Sequence, residues 1–295
     1  MREQTSASNF EPIQQGQDTM APIQIMINGL PGNVATALAE HAIADSRFTV
    51  IEYSLTGPEI TETEHRVKDR AIRLVSPQTR QEVIRALKQT ADELVAIDFT
   101  HPSAVNDNAE FYCENRIPFV MGTTGGDRDR LYETIQNADI CAVIAPNMAK
   151  QIVGFQAMME YAAENFPGLF AGYELTIEES HQQQKADTSG TAKAMVNYFN
   201  KLGAHFKKEA IIQVREPEEQ KNRLGVPEQY LSGHGWHTYT LVSPDNTSVF
   251  RFTHNINGRD IYAQGTFDAV NFLAQKMDQG ARGQVYSMID VLKGA

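Results

Sequence analysis

Residues 23–35 read IQIMINGLPGNVA, a short apolar strand running directly into a glycine turn and the start of a helix. Gly29, Leu30, Pro31, Gly32, Asn33, Val34 and Ala35 fit the spacing G-x-x-G-x-x-A. That chemistry needs small residues because the chain turns sharply while its amides approach a pyrophosphate. The free N–H groups at the helix start then face negative charge. A glycine pair alone says little, and its weight comes from standing between a strand and a helix at the head of an alternating array.

The array extends outward from this turn. A helix is expected to about residue 45, with Leu38, Ala42 and Ile43 on one side. Residues 48–53 (FTVIEY) read as a second strand, 57–74 as charged loop, and 78–90 as a helix. Strands at 94–99, 119–122 and 140–145 then alternate with helices at 104–114 and 127–137. This pattern predicts an α/β fold with a Rossmann-like, doubly wound parallel sheet. A helix at 149–165 stops at Pro167-Gly168, and a strand at 173–179 and a helix at 189–202 follow. Pieces rich in β-formers at 209–215, 236–243, 248–255 and 261–266 predict a smaller α+β domain on an open mixed sheet. The expected division is a disordered tail at 1–21, a dinucleotide-binding domain at 22–148, and a second domain at 149–266. Residues 267–295 are expected to return to the first domain.

A formal charge of −11 over 295 residues makes the surface repel nucleic acid and anionic lipid, so neither is expected as a partner. No apolar stretch is long enough to span a bilayer. Cys113 and Cys141 stand singly without metal-ligand spacing and read as small buried hydrophobes in a reducing compartment. The polar first twenty residues lack the apolar core of a secretory signal. A cytoplasmic location is expected, or the plastid stroma after removal of a transit peptide.

Two loops leave strand ends on the edge where doubly wound sheets hold ligands: Asp98 to Pro102, with Phe99 and Thr100, and Met121 to Gly125. Gly122 permits close approach of a nicotinamide ring, and Thr123 and Thr124 offer hydroxyls and amides. In the dinucleotide fingerprint an acid about twenty residues past the turn accepts the ribose hydroxyls. Glu52 lies near that distance, but Tyr53, Ser54, Leu55 and Thr56 follow it. With Ser54 or Thr56 at the strand tip a 2′-phosphate is tolerated, so NADPH is the expected cofactor, with NADH also possible.

The chemistry concentrates in residues 179–192, ESHQQQKADTSGTA. Ser189, Gly190 and Thr191 sit at a helix start, whose unpaired N–H groups and dipole suit a carboxylate. Lys185 adds a full positive charge just before it, making an anion trap in an acidic protein. Read singly, these residues also fit a plain helix cap beside a solvated lysine.

This stretch, together with DFTHP (98–102), MGTTGG (121–126), APNMAKQIV (145–153), LSGHGWHTY (231–239) and HNINGRDIYAQGT (254–266), resembles the dihydrodipicolinate reductase family in its plant-type form. The likeness runs from about Pro22 to the C-terminus. It implies a two-domain, homotetrameric, NAD(P)H-dependent reductase of the diaminopimelate route to lysine, with the second domain pairing subunits. Its substrate is a small cyclic dicarboxylate, 4-hydroxy-tetrahydrodipicolinate or dihydrodipicolinate, reduced to tetrahydrodipicolinate. By resemblance His181 takes the place of the proposed acid and Lys185 that of the catalytic lysine. Ser189, Gly190 and Thr191 match the residues that hold a substrate carboxylate, and Thr124 the junction of substrate and nicotinamide. Gly29 to Val34, Gly122 to Thr124, and Ala145, Pro146, Asn147 and Met148 match the cofactor loops. Gln182 replaces the second of two paired histidines in the better-known bacterial form, and the spacer before Ser189 is one residue shorter. An amide there can orient substrate but cannot titrate.

In the expected reaction, hydride reaches the electron-poor carbon of a conjugated imine, and negative charge spreads toward the ring nitrogen. Lys185 stabilises that charge and donates a proton, while His181, with an ordinary pKa of about 6.5, can also act as an acid near neutrality. Lys185 is expected to matter more. His234, His237 and His254 lack the spacing of a metal site and read as polar positions in sheet or pocket walls, so no metal is expected. Arg259 stands in a turn from which it can reach an anion. Two other readings stay open, a reductase of another small carboxylate and a non-catalytic homologue serving assembly or regulation.

Overall fold

A computed structural model describes residues 21–89 and 94–294; apart from Ala21, the expected N-terminal tail lies outside them. The first half runs β1 (Ile23–Asn28), α1 (Asn33–Ile43), β2 (Phe48–Val50), β3 (Tyr53–Leu55), β4 (Glu64–Val67), β5 (Arg70–Val75), α2 (Arg80–Leu87), β6 (Leu94–Asp98), α3 (Val105–Glu114), β7 (Phe119–Met121), α4 (Arg128–Gln136) and β8 (Ala142–Ile144). There follow α5 (Lys150–Asn165), β9 (Glu174–His181), α6 (Gly190–Lys201), β10 (Ile212–Val214), a single turn α7 (Pro217–Glu219), β11 (His234–Val242), β12 (Val249–Asn257), α8 (Asp260–Asp278), β13 (Val285–Tyr286) and α9 (Met288–Lys293).

Six strands form a parallel sheet in the order β13-β8-β7-β6-β1-β2. The chain moves from β1 outward to β2 and then back past β1 to β6, so the carboxyl ends of β1 and β6 flank the crevice where such sheets bind ligands. One sheet face packs on α1 and α8, where Leu38, Ala42, Phe48, Phe267 and Val270 are buried together. The other face packs on α2, α3 and α4 through Ile84, Tyr112, Leu131 and Ile135. Strands covered on both faces are mostly apolar, and all five residues of β6 are buried, its terminal Asp98 included.

The second sheet has the order β10-β9-β11-β12, with β10 parallel to β9 and β11 antiparallel to both neighbours. One of its faces is covered by α5 and α6, with Met195, Phe199, Ile177 and Tyr239 at the centre. The chain passes between the two sheets twice, between β8 and α5 and between β12 and α8.

Three expectations need correction. Residues 48–53 are not one strand: β2 ends at Val50, and β3 joins a separate three-stranded sheet ordered β3-β5-β4. The supposed loop at 57–74 supplies that sheet's hairpin, whose charged outer residues hide the alternation that buries Val67, Ile72 and Leu74. Residues 261–266 are helical, not extended, and belong to α8. Their aromatic and β-branched character, with Gly265, imitates a strand. Ala263, Phe267 and Val270 instead follow helical spacing and are buried.

Gly265 has a specific task in α8. A Cβ there would lie 1.9 Å from the carbonyl oxygen of Met148, so only glycine lets the helix lie against this loop. Gly265→Ala is therefore expected to lower unfolding free energy by about 1–3 kcal/mol. Chemical denaturation measures this, and an unchanged midpoint would show that the loop yields without penalty.

Candidate active site

The half expected to hold the cofactor is built where β1 stops. Gly29 has φ +105°, and a Cβ on it would meet the Phe99 carbonyl oxygen at 2.2 Å. The amide of Gly32 closes the turn onto the Gly29 oxygen at 2.8 Å. Gly32 is also the N-cap of α1 and offers no side chain to the first-turn amides, which are left for an anion. A Cβ on Gly122 would lie 2.3 Å from the Phe99 ring, so Phe99 sits hard against both glycine loops.

A buried carboxylate organises these loops. Asp98 Oδ1 accepts from Thr123 Oγ1 at 2.6 Å and Thr100 Oγ1 at 2.8 Å, and its Oδ2 from Tyr112 Oη at 2.7 Å and Asn108 Nδ2 at 3.0 Å. Asn28 extends the network, donating to Tyr112 and accepting from the Leu55 amide. Burial first, and then the Asp98 charge, push the Tyr112 phenol well above its ordinary range, so it stays a neutral donor. The ends of β1, β3, β6 and β7 are thereby tied together.

The half expected to hold the substrate is a matter of strand register. Glu179 stands opposite His237, and His237 opposite His254, so the three lie in a row across the sheet. The His237 and His254 rings stack at 4.6 Å, and His181 meets His237 edge-on at 5.1 Å. Gly235 pairs with His181 and leaves room for its ring; a Cβ there would lie 3.0 Å from the imidazole. His181 Nδ1 faces the His234 carbonyl at 3.0 Å, so in the neutral ring Nδ1 carries the proton and Nε2 presents a lone pair. That Nε2 is buried and has no partner.

Burial, followed by the neighbouring His237, lowers the His181 pKa to about 4, and the same two causes lower His254 to about 3. Both causes disfavour a charge on His181 near neutrality, where the sequence suggests an acid. Glu179 is fully buried. Burial alone would raise its carboxyl, but hydrogen bonds from His237, Arg215 and Ser189 outweigh this and hold it well below the ordinary range. Arg215 Nη2 lies 2.5 Å from Glu179 Oε1, and the Ser189 amide donates to Oε2 at 3.0 Å.

Ser189 caps α6, its Oγ accepting from the Ala192 amide at 3.0 Å and lying 2.8 Å from His237 Nε2. Glu179, His181 and His237 bring one donor atom each within 4.8 Å, a spacing able to hold a metal ion. Yet both carboxylate oxygens are engaged by Arg215 and Ser189, and His237 Nε2 by Ser189, so this donor set is committed to the protein itself.

A cleft of about 670 Å³ lies between the halves. Its walls bring His181, Gln182, Lys185, Ser189, Gly190 and Thr191 opposite Val34, Phe99, Gly122, Thr124, Pro146, Asn147 and Met148, together with His237, His254 and Arg259. An adjoining hollow of about 400 Å³ adds Gly32, Asn33, Thr100 and Thr123. Lys185 Nζ is held by Asp187 Oδ1 at 2.7 Å. Five expected cofactor residues line neither space: Gly29, Leu30, Pro31, Ser54 and Ala145. Ser54 in particular is buried, its Oγ accepting the Leu30 amide at 3.2 Å, so its hydroxyl serves the turn from within and not a ribose. The sequence assigns no role to Glu179 and Arg215, whose only signal is register between distant strands, while His234, His237 and His254 stand in the sheet and cleft wall as expected.

Two family models match in sequence: "Dihydrodipicolinate reductase, N-terminus" over residues 23–148 and "Dihydrodipicolinate reductase, C-terminus" over 152–292. The chain is 47% identical over 272 residues to 4-hydroxy-tetrahydrodipicolinate reductase 1, chloroplastic, of Arabidopsis thaliana, covering 92% of this chain and 78% of that protein. It is 44% identical over 291 residues to the second chloroplastic Arabidopsis thaliana reductase, covering 98% and 83%. Among solved structures it resembles a dipicolinate-bound dihydrodipicolinate reductase from Paenisporosarcina sp. TG-14, with TM-score 0.63, 18% identity, and coverage of 90% and 97%.

The lowered histidine pKa values bear on stability. Above about 6.5 the rings are neutral whether the chain is folded or unfolded; below it, the unfolded chain takes up protons that the folded one refuses. Stability is therefore expected to fall as pH drops from about 6.5 toward 4. Glu179 adds its own loss as pH falls through the ordinary carboxylate value of the unfolded chain and below it. Melting temperatures across this window test the point, and His254→Gln should flatten part of the slope; a flat profile above pH 4.5 would refute it.

Proposed function

The chain belongs to the dihydrodipicolinate reductase family, and from its geometry we propose how its residues divide the work of reducing 4-hydroxy-tetrahydrodipicolinate. It is an oxidoreductase of lysine biosynthesis. The observation that carries the residue assignment is the shared cleft: Lys185, His181 and the start of α6 face Phe99, Gly122 and Thr124 across one space.

Ser189, Gly190 and Thr191 hold one substrate carboxylate at the α6 terminus, and Lys185 exchanges Asp187 for the substrate's charge. Gln182 orients the ring through its amide. The α1 amides and the loops at Phe99–Thr100, Gly122–Thr124 and Pro146–Met148 would hold NAD(P)H, which would supply the hydride. After the 4-hydroxyl leaves as water to give the conjugated dihydrodipicolinate, hydride adds to its electron-poor carbon, and Lys185 stabilises the negative charge that spreads toward the ring nitrogen and donates the proton. His181, with Nδ1 turned to the His234 carbonyl and Nε2 buried, shapes the cleft wall beside the ring and does not protonate it.

NADPH is the preferred nicotinamide and NADH is accepted. In support, β3 ends at Leu55 and Thr56 follows, while Glu52 stands before the strand, so no acid at its tip repels a 2′-phosphate. Residues 22–148 form the dinucleotide-binding unit, with all of α8 and the segment after it joined to them; β13 pairs with β8 in support. The remainder binds substrate and assembles homotetramers. The edge strand β12, nine residues long with Val249 and Phe250 exposed, supports pairing between subunits. The cytoplasmic address expected from sequence finds no support in relatives named chloroplastic, and the plastid is the compartment we favour.

Lys185→Met is expected to lower kcat by about 10²–10⁴-fold, the usual weight of general acid help, and His181→Asn by less. The kcat/KM profile should show no limb near pH 6.5. A coupled assay with enzymatically generated substrate measures both; full turnover in Lys185→Met would overturn the assignment. In the same assay NADPH should give the higher kcat/KM, and a preference for NADH would remove that part of the reading.

A further inference from the structure

We infer that Arg215 is the positioning residue of the substrate half-site, holding Lys185 and the carboxylate-binding start of α6 in one fixed relation. The inference rests on the role of Lys185 given above and deepens it. Arg215 directly follows β10, whose Val214 pairs with Ser180 near the end of β9. From there its guanidinium reaches across the strand end into the loop that joins β9 to α6.

The planar fork is used on several sides. Nε donates to the Lys185 carbonyl at 2.9 Å, Nη2 to Glu179 Oε1 at 2.5 Å, and Nη1 to its neighbour's carbonyl, Val214, at 3.2 Å. Longer contacts at 3.4 Å reach the carbonyls of Asp187 and Glu179. Glu179 in turn holds the Ser189 amide. One buried ion pair therefore grips the loop at 185, 187 and 189, the stretch carrying the ammonium and the helix start. The Arg215 side chain is only 14% exposed and lines neither ligand space, so its action on substrate passes through these residues.

A lysine at 215 keeps the charge against Glu179 but lacks the fork that satisfies carboxylate and carbonyl together. This separates positioning from mere charge balance. Arg215→Lys is expected to fold with a melting temperature near that of the unaltered protein, yet to lose about 10-fold or more in kcat/KM for the dicarboxylate. A displacement of about 1 Å at a reacting group costs on the order of 10²-fold. KM for NADPH should stay within about twofold, because the cofactor half is untouched. Should Arg215→Lys not fold, the pair Arg215→Gln with Glu179→Gln replaces the ion pair by two amides and gives the same readout.

A double-mutant cycle with Lys185→Met decides how Arg215 acts. If it works through Lys185, Arg215→Lys causes little further loss of kcat in the Lys185→Met background. Losses that multiply in full would overturn the inference, as would an Arg215→Lys protein with ordinary kcat and substrate KM. An inactive Lys185→Met beside a normal Arg215→Lys sinks only the positioning role. A fully active Lys185→Met sinks the lysine's role and the positioning role with it.

Discussion

A carboxylate withdrawn wholly from water must be surrounded by donors, and Glu179 sets that demand at the centre of the substrate half. The effective penalty for burying an ion is several kcal/mol, offset only when geometry and hydrogen bonding are both good. Here Arg215 and the Ser189 amide supply the donors, with His237 close by. Satisfying Glu179 fixes the strand end, the loop and the helix start in one move. The binding geometry is thus a by-product of solving a solvation problem.

The cofactor half uses the same device with different partners. Asp98 lies under the glycine loops as Glu179 lies under the lysine loop, but its donors are neutral: two threonine hydroxyls, an amide and a phenol. Turns at the carboxyl edge of a sheet carry backbone and side-chain donors that the strand ladder cannot satisfy, and a buried acid collects them. The two halves differ where function differs. The glycine turn leaves its helix-start amides uncapped, whereas a dicarboxylate site needs positive charge, and there the buried acid is balanced by an arginine.

Local patterns carried the parallel sheet, the glycine turn and the helix start at Ser189, because each depends on residues near one another in sequence. The hairpin of β4 and β5 escaped because Glu64, Arg66 and Arg70 make a half-buried ribbon look like solvated loop. The start of α8 escaped because Gly265 reads as a breaker, although its lack of a side chain answers to the Met148 carbonyl. The row of Glu179, His237 and His254 escaped for a deeper reason. It exists only once β9, β11 and β12 take their register, a non-local fact that no window of sequence contains. The same holds for the acidity of His181, whose ordinary value is altered by burial that only folding creates.

The two passages of the chain between its sheets lie side by side. One ends at Lys150, which pairs with Asp268 at 2.5 Å, and the other opens α8, whose Gly265 rests on Met148. Two adjacent crossings, pinned by an ion pair and by a glycine seated on a carbonyl, hold the halves together along a line and not at a single point, an arrangement that resists sliding of one half past the other.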